Sequence, residues 1–175
     1  MPKSYAALNF SASFLSGIQR EIYMPLYHFT DSRNLESIRR YGLLSWKRLL
    51  ARGMAHWPAS SEDSRKLDAR SNLEDYVRLC TRREHPMAAR ALYEGRIQDY
   101  VWLEVSEVVT RWKATLYSSD NAVAHRSIIN NDPRTALESC SVQAEVLVLG
   151  GVNSKWITFP TTHPAVSDFD FDIPL

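Results

Sequence analysis

The segment LYHFTDSRNLESIRRYGL, residues 26–43, is the stretch that decides the fold. Its first five residues are apolar, aromatic or β-branched and predict a short strand. Asp31 or Ser32 can cap a following helix, and Gly42 can end that helix in the left-handed conformation. The segment therefore predicts a strand that delivers polar side chains to the mouth of a helix, where an amide or a phosphate can bind.

The rest of the chain predicts more strands than long helices. Further strands are expected at 75–81, 98–105, 114–118, 143–149 and 155–159, and helices at 32–41, 45–52, 86–94 and 133–139. Residues 53–72 show no sustained apolar period, so they are expected to form a long functional loop. Because the helices cluster in the N-terminal half, the pattern indicates an α+β fold.

The composition is that of a globular domain. The chain has 175 residues, 45% of them hydrophobic, which is enough for one domain over 1–175. We expect a partly helical arm at 1–24 and an acidic tail at 161–175. No basic-then-apolar leader and no apolar run near 18 residues is present, so we expect a cytoplasmic protein without a membrane partner.

No metal is expected. Cys80 and Cys140 have no close Cys or His neighbours in the sequence, so they are expected to be buried, reduced thiols. Asp168, Asp170 and Asp172 resemble a metal-binding run, but the glycine and the downstream glutamate of a calcium loop are missing.

The charge is unevenly distributed along the chain. Residues 1–96 carry 16 Lys and Arg against 10 Asp and Glu, or +6, whereas residues 97–175 carry 5 against 10, or −5. A basic face of this kind could hold a polyanion such as a nucleic acid. The alternative is an ordinary solvated surface.

Glu145 is the most conspicuous charged residue. It opens the apolar run 146–149, where burial of a carboxylate without partners would be costly. It lies either on the solvent face of an edge strand or in a site that uses it, and its position alone favours neither. No Walker loop, dinucleotide fingerprint or nucleophile elbow accompanies it.

Four other side chains could bind a ligand, and for the two histidines and the tyrosine among them a structural role is the alternative. His28 and Thr30 point to the same side of an alternating strand, so both can face one ligand, although a lone histidine is more often a core residue. Tyr76 could stack on an aromatic ring or belong to the core. His125 could touch substrate or be an exposed loop residue.

Three blocks in order resemble the DarT family, the DNA ADP-ribosyltransferases of toxin–antitoxin systems. They are YHFT with the Asn34, Leu35, Ile38 helix and the GLL exit; residues 73–77 running to His85-Pro86-Met87; and QAEVLV at 143–148. Together they span residues 26–160. The resemblance implies an ADP-ribosyltransferase fold of two packed β-sheets that hold NAD as co-substrate.

The resemblance also implies roles for individual residues. Glu145, Arg65 and His125 are expected to be catalytic, and His28, Thr30, Asn34, Leu35 and Tyr76 to bind the cofactor. Arg65 is favoured over Arg52 and Arg70 in the loop where the family places its functional arginine, and Asp68 could orient it.

The expected reaction is transfer of ADP-ribose to a nucleobase in single-stranded DNA by a toxin. A shorter loop and the strand 77–80 followed by His85-Pro86-Met87 favour guanine over thymine. A macrodomain-type or related ADP-ribosyl-hydrolase antitoxin is the implied partner. The alternatives are a mono-ADP-ribosyltransferase acting on RNA or protein, and a non-catalytic nucleic-acid-binding module.

Overall fold

The computed structural model describes residues 24–161. Strands β1 to β9 lie at Leu26–Thr30, Leu43–Leu44, Tyr76–Cys80, Val101–Val105, Leu116–Ser118, Ile129–Asn130, Glu145–Leu149, Gly151–Val152 and Ile157–Thr158. Helices α1 to α5 lie at Leu35–Tyr41, Trp46–Ala51, Glu62–Arg70, Pro86–Tyr93 and Arg134–Leu137, with 3-10 turns at Ser32–Asn34, Glu107–Arg111 and Ser154–Trp156. The expected arm, the acidic tail and the Asp168–Asp172 run lie outside the described residues, except for residues 24 and 161.

The strands form one large antiparallel sheet in the order β6-β5-β7-β3-β1-β4-β9, and β2 pairs with β8 in a small second sheet. Five residue pairs join β3 to β7 and five join β1 to β4, but β1 and β3 meet at a single pair, Tyr27 with Cys80. The large sheet therefore consists of two halves that separate between β1 and β3. The α+β prediction is confirmed, and the expected pair of sheets is realised as these two halves plus the small sheet.

The core lies on the face of the large sheet that α1 covers. Leu26 and Leu103 from one half pack with Leu79 and Val146 from the other, all 0–1% exposed. Gly42 ends α1 with a φ of 78°, and a Cβ at this position would lie 2.2 Å from the carbonyl oxygen of Val152. This close approach brings the end of α1 against β8 and fixes the helix beside the opening of the sheet.

A buried carboxylate, Asp31, holds the junction between β1 and α1. It accepts hydrogen bonds from the backbone N–H groups of Arg33 and Gln98, and it pairs with the Arg33 guanidinium at 2.7 Å. The Arg33 side chain, followed by the backbone donors, lowers the pKa of Asp31 from 3.8 to about 2. Asp31, one of the two predicted caps, caps the 3-10 turn Ser32–Asn34 that leads into α1.

The low pKa of Asp31 predicts a loss of stability in acid. Because the folded-state pKa lies below the ordinary value, the carboxylate stabilises the fold fully above about pH 4 and loses this effect as the pH falls towards 2. A shift of this size is worth about 2 kcal/mol. Urea unfolding at pH 7 and pH 2.5 should show that Asp31→Asn loses less stability between the two pH values than the parent does. An identical loss in both proteins would contradict the assignment. Asp99→Asn, which changes the exposed partner of the Ser32 N–H, is the control.

The prediction of a long loop at 53–72 is wrong for the second half of this segment, which contains α3. Ser61 caps this helix by accepting from the Ser64 N–H, and Glu62 pairs with Lys66 one turn later at 2.7 Å. No residue of α3 is buried, so the helix has no apolar stripe that a period search could find. The capping serine followed by two acidic residues was the available signal.

The two cysteines differ in environment. Cys80 is buried as expected, but Cys140 is exposed, so the prediction was wrong for the second thiol. Cys140 follows α5 in a surface turn, where the sequence carries no sign of its exposure. Among residues 24–161 no three His, Cys, Asp or Glu side chains are grouped to hold a metal ion, and no helix there is long and apolar enough to cross a membrane.

Candidate active site

A cleft of about 240 Å³ lies where the two halves of the large sheet separate. β1 and α1 form one wall, β3 and β7 form another, and the segments 54–60 and 121–123 contribute to its rim. The polar and aromatic residues that line it include His28, Thr30, Asn34, Trp57, Arg78, His85 and Glu145. The opening of the sheet thus creates a site from residues that are distant in sequence.

Glu145 lies in this cleft at the start of β7 and is only 5% exposed. Its Oε2 accepts a hydrogen bond from the Ala122 N–H at 2.8 Å. The same oxygen forms an ion pair with Arg78 Nη1 at 2.6 Å. β7 runs between β5 and β3, so it is an interior strand of the sheet. The alternative of a solvent-facing residue on an edge strand is therefore excluded, and the carboxylate is held by dedicated partners.

Arg78 is a residue of the site that the sequence reasoning missed. It sits in the middle of β3, and its guanidinium bridges two carboxylates, those of Glu145 and of Asp68 on α3. Its side chain is 22% exposed. Burial disfavours its charge, but the two carboxylates outweigh that effect and raise the pKa of Arg78. A charged residue inside an otherwise apolar strand was the available signal for Arg78, and the same signal pointed to Glu145.

His28 faces the cleft in a defined protonation state. Its Nδ1 donates to the backbone carbonyl of Arg78 at 3.0 Å, across the opening between β1 and β3. Burial, partly offset by this hydrogen bond, lowers the pKa of His28. The ring is therefore neutral at physiological pH with its proton on Nδ1, and its Nε2 is an acceptor that suits a ligand hydroxyl.

Thr30 and Asn34 form a small hydrogen-bonded unit beside His28. The Asn34 side-chain amide donates to Thr30 Oγ1 at 3.0 Å and to the Trp57 carbonyl at 2.9 Å. Both residues line the cleft, and their predicted role in cofactor binding stays a prediction. Asn34 also fixes the segment 54–60 against α1, which is a second role that the sequence does not indicate.

His85 also lines the cleft and was not among the predicted site residues. It caps α4, because its Nδ1 accepts from the Met87 N–H at 3.3 Å. Its proton must then lie on Nε2, which is buried without a hydrogen-bond partner. Burial lowers the pKa of His85. Pro86 correctly indicated the start of a helix, but it gave no sign that the His85 side chain lines the cleft.

The other predicted site residues are divided between the cleft and its surroundings. Tyr76 lines the cleft, whereas Leu35 packs against the core. Arg65 stacks its guanidinium 4.6 Å from the Trp46 ring centre and donates to the Ser60 carbonyl, so it supports two residues of the lining but is not part of it. His125 is exposed in the loop after β5. The roles predicted for these residues stay predictions.

The geometry is suited to a ligand with hydroxyl groups and a developing positive charge. A fixed carboxylate can stabilise that charge and accept a proton, and a neutral imidazole acceptor can orient a hydroxyl. The Arg78 guanidinium holds the carboxylate in place.

Comparison with known proteins gives one consistent result. The family model described as ssDNA thymidine ADP-ribosyltransferase, DarT, matches residues 27–158. The fold matches DarTG of Thermosipho africanus in complex with ADP-ribose, with a TM-score of 0.64 and 19% identity, over 78% of this chain and 43% of that chain. No curated protein sequence gives a match.

Two structures of DarT from Thermus sp. 2.9 are also similar. The complex with ADP-ribosylated ssDNA has a TM-score of 0.60 and 19% identity, over 77% of this chain and 78% of that chain. The complex with NAD+ has a TM-score of 0.52 and 21% identity, over 78% and 80%. The chain spans less than half the length of the Thermosipho protein and most of the Thermus protein. With a family model that covers residues 27–158, the chain belongs to the DarT family of ADP-ribosyltransferases.

Proposed function

We propose that this chain cleaves NAD and transfers the ADP-ribose to a nucleobase of single-stranded DNA. The observation that carries the proposal is the buried Glu145 carboxylate, held at the opening of the sheet by Arg78 and the Ala122 N–H. A cleft with a carboxylate on one wall and the His28 acceptor on the other fits the nicotinamide ribose, whose hydroxyls both groups can bind. Family membership supports NAD as the co-substrate.

The chemistry follows from the positions of these groups. The bond between C1″ of the ribose and the nicotinamide nitrogen breaks, and its electron pair leaves with nicotinamide. Positive charge develops on C1″ and the ring oxygen, where the Glu145 carboxylate stabilises it. A base nitrogen then forms the new bond to C1″, and its proton passes to Glu145 as general base. His28 orients the ribose through its Nε2.

Two arginines have separate roles in the proposed reaction. Arg78 positions Glu145, whereas Arg65 remains the candidate for the pyrophosphate, which a guanidinium fork suits. Arg65 would have to leave its contacts with Ser60 and Trp46 to reach that group. His125 lies in the loop that supplies Asn121 and Val123 to the cleft, and it remains the candidate for a contact with the acceptor.

The acceptor is an exposed base, since the reacting nitrogen must reach C1″ and a duplex hides its base edges in the stack. Guanine, favoured by the sequence, and thymidine, which the family description names, both present a ring N–H beside a carbonyl group. We retain guanine as the proposed base and make thymine the outcome that would replace it. A transferase that marks DNA needs an activity that removes the mark, so we propose an ADP-ribosyl-hydrolase antitoxin as partner.

The acceptor experiment uses NAD labelled in the ADP-ribose half, with single-stranded DNA, duplex DNA, RNA and protein offered separately. We expect label on single-stranded DNA far above duplex. Binding of the strand should weaken with salt, with a logarithmic slope of about −0.7 per phosphate contacted. Label on RNA or protein but never on single-stranded DNA would overturn the acceptor and leave NAD cleavage standing. Oligonucleotides that contain only one of guanine and thymine decide between the two bases.

A further inference from the structure

Trp57 is an exposed aromatic residue in the lining of the cleft. It lies on the segment 54–60, lines the cleft and is 42% exposed. The Arg33 guanidinium stands 3.8 Å from the centre of its ring but does not line the cleft. One face of the indole is thus covered by a cation that lies outside the lining, whereas Trp57 itself belongs to the lining.

The Trp57 ring is held in this orientation by a series of contacts. The backbone carbonyl of Trp57 accepts from Asn34 at 2.9 Å. Arg33 is fixed in turn by Asp31, which binds its Nε at 2.8 Å and its Nη2 at 2.7 Å. Because Asp31 is fully buried, this arginine cannot swing freely into solvent. An aromatic plane supported in this way is prepared for stacking before any ligand arrives.

A flat ring stacks on such a plane with little regard to its identity, since every base has a π-face. Two such rings could enter the cleft, the adenine of NAD and the acceptor base. The acceptor base must reach C1″ beside Glu145, whereas adenine lies at the far end of the dinucleotide from that carbon. Trp57 contacts Asn34 and Arg33, which directly precede α1. Glu145 contacts Arg78 on β3 and the N–H of Ala122. The two residues are therefore held by different segments around the cleft.

We propose that the face of Trp57 opposite Arg33 is the stacking site for the adenine ring of NAD, with Arg33 as its support. This inference rests on the proposed function, because it assigns one end of the same ligand. It also gives the segment 54–60 a role in cofactor selection, because Trp57 does not increase the affinity for a ligand that lacks the adenine ring. Trp46, which lines the cleft beneath the Arg65 guanidinium, repeats the arrangement.

The test measures the equilibrium binding of ADP-ribose, nicotinamide mononucleotide and a single-stranded oligonucleotide by calorimetry. Trp57→Ala should raise the Kd of ADP-ribose by about 5- to 150-fold, which is the usual size of a lost ring-stacking contact. The Kd of nicotinamide mononucleotide, which has no adenine, should stay within about twofold. Trp57→Phe should retain most of the affinity for ADP-ribose, and Arg33→Ala should lose part of it.

Tyr41→Ala is the matched control. Tyr41 is 43% exposed and lies under the Arg40 guanidinium at 5.2 Å, but it does not line the cleft. Its variant should bind all three ligands as the parent does. Unchanged ADP-ribose affinity in Trp57→Ala, or an equal loss for nicotinamide mononucleotide, would overturn the adenine site. Loss of oligonucleotide binding alone would assign the ring to the acceptor strand instead. A parent protein that binds neither nucleotide would refute the proposed function itself.

Discussion

Glu145→Gln should lower the rate of ADP-ribose transfer by roughly 10²–10⁴-fold, the usual size of a lost acid–base or electrostatic group. Glutamine keeps the shape of the side chain and an oxygen for the Ala122 N–H, but it removes the negative charge and the proton acceptor. Single-turnover transfer to a labelled oligonucleotide is the measurement. In a cell the same change should abolish toxicity.

Glutamine is a better substitution than alanine at this position. Alanine would leave Arg78 with a single carboxylate partner in a largely buried site, and unpairing a buried charge destabilises a fold. Urea unfolding of the variant establishes that the fold survives. Parent-like transfer by a folded Glu145→Gln protein would remove Glu145 from the reaction.

Arg78→Ala should have the second largest effect. Without the guanidinium, the carboxylates of Glu145 and Asp68 face each other across the cleft wall without compensation. We expect kcat to fall by about 10- to 1,000-fold, because Glu145 loses its orientation, and the affinity for ADP-ribose to change much less. Stability should fall by about 3 kcal/mol, because removal of the shared cation leaves two largely buried carboxylates unpaired.

Two variants separate the positioning role of Arg78 from a general loss of charge. Arg78→Lys keeps the charge but cannot hold both carboxylates in one plane, so it should recover stability more than kcat. Arg83→Ala removes an ion pair with Glu104 that is more exposed and lies outside the cleft, and it should leave kcat unchanged. An Arg78→Ala enzyme with the kcat of the parent would show that Glu145 needs no such support.

Some of the residues that the structure places in the cleft could be singled out from the sequence, although their predicted roles stay predictions. Glu145 was singled out because a carboxylate opens an apolar strand, and His28 and Thr30 because alternation places them on one side of β1. Both histidine and threonine line the cleft. Local patterns were sufficient for these positions, since each one depends on its own strand.

The features that the sequence did not predict depend on contacts between distant segments. Arg78 and Glu145 are 67 residues apart, and only the pairing of β3 with β7 brings them together. The opening between β1 and β3 is a property of the whole sheet. α3 was missed because none of its residues is buried and it is stabilised by its cap and charges, which an apolar period cannot reveal.

The most direct test of the central claim is the mass of a single-stranded oligonucleotide after incubation with NAD and the protein, followed by digestion to nucleosides. We predict an adduct of one ADP-ribose on a base, equimolar release of nicotinamide, and neither product with Glu145→Gln. An unmodified oligonucleotide with the parent protein, or the same adduct with the folded Glu145→Gln variant, would contradict the account.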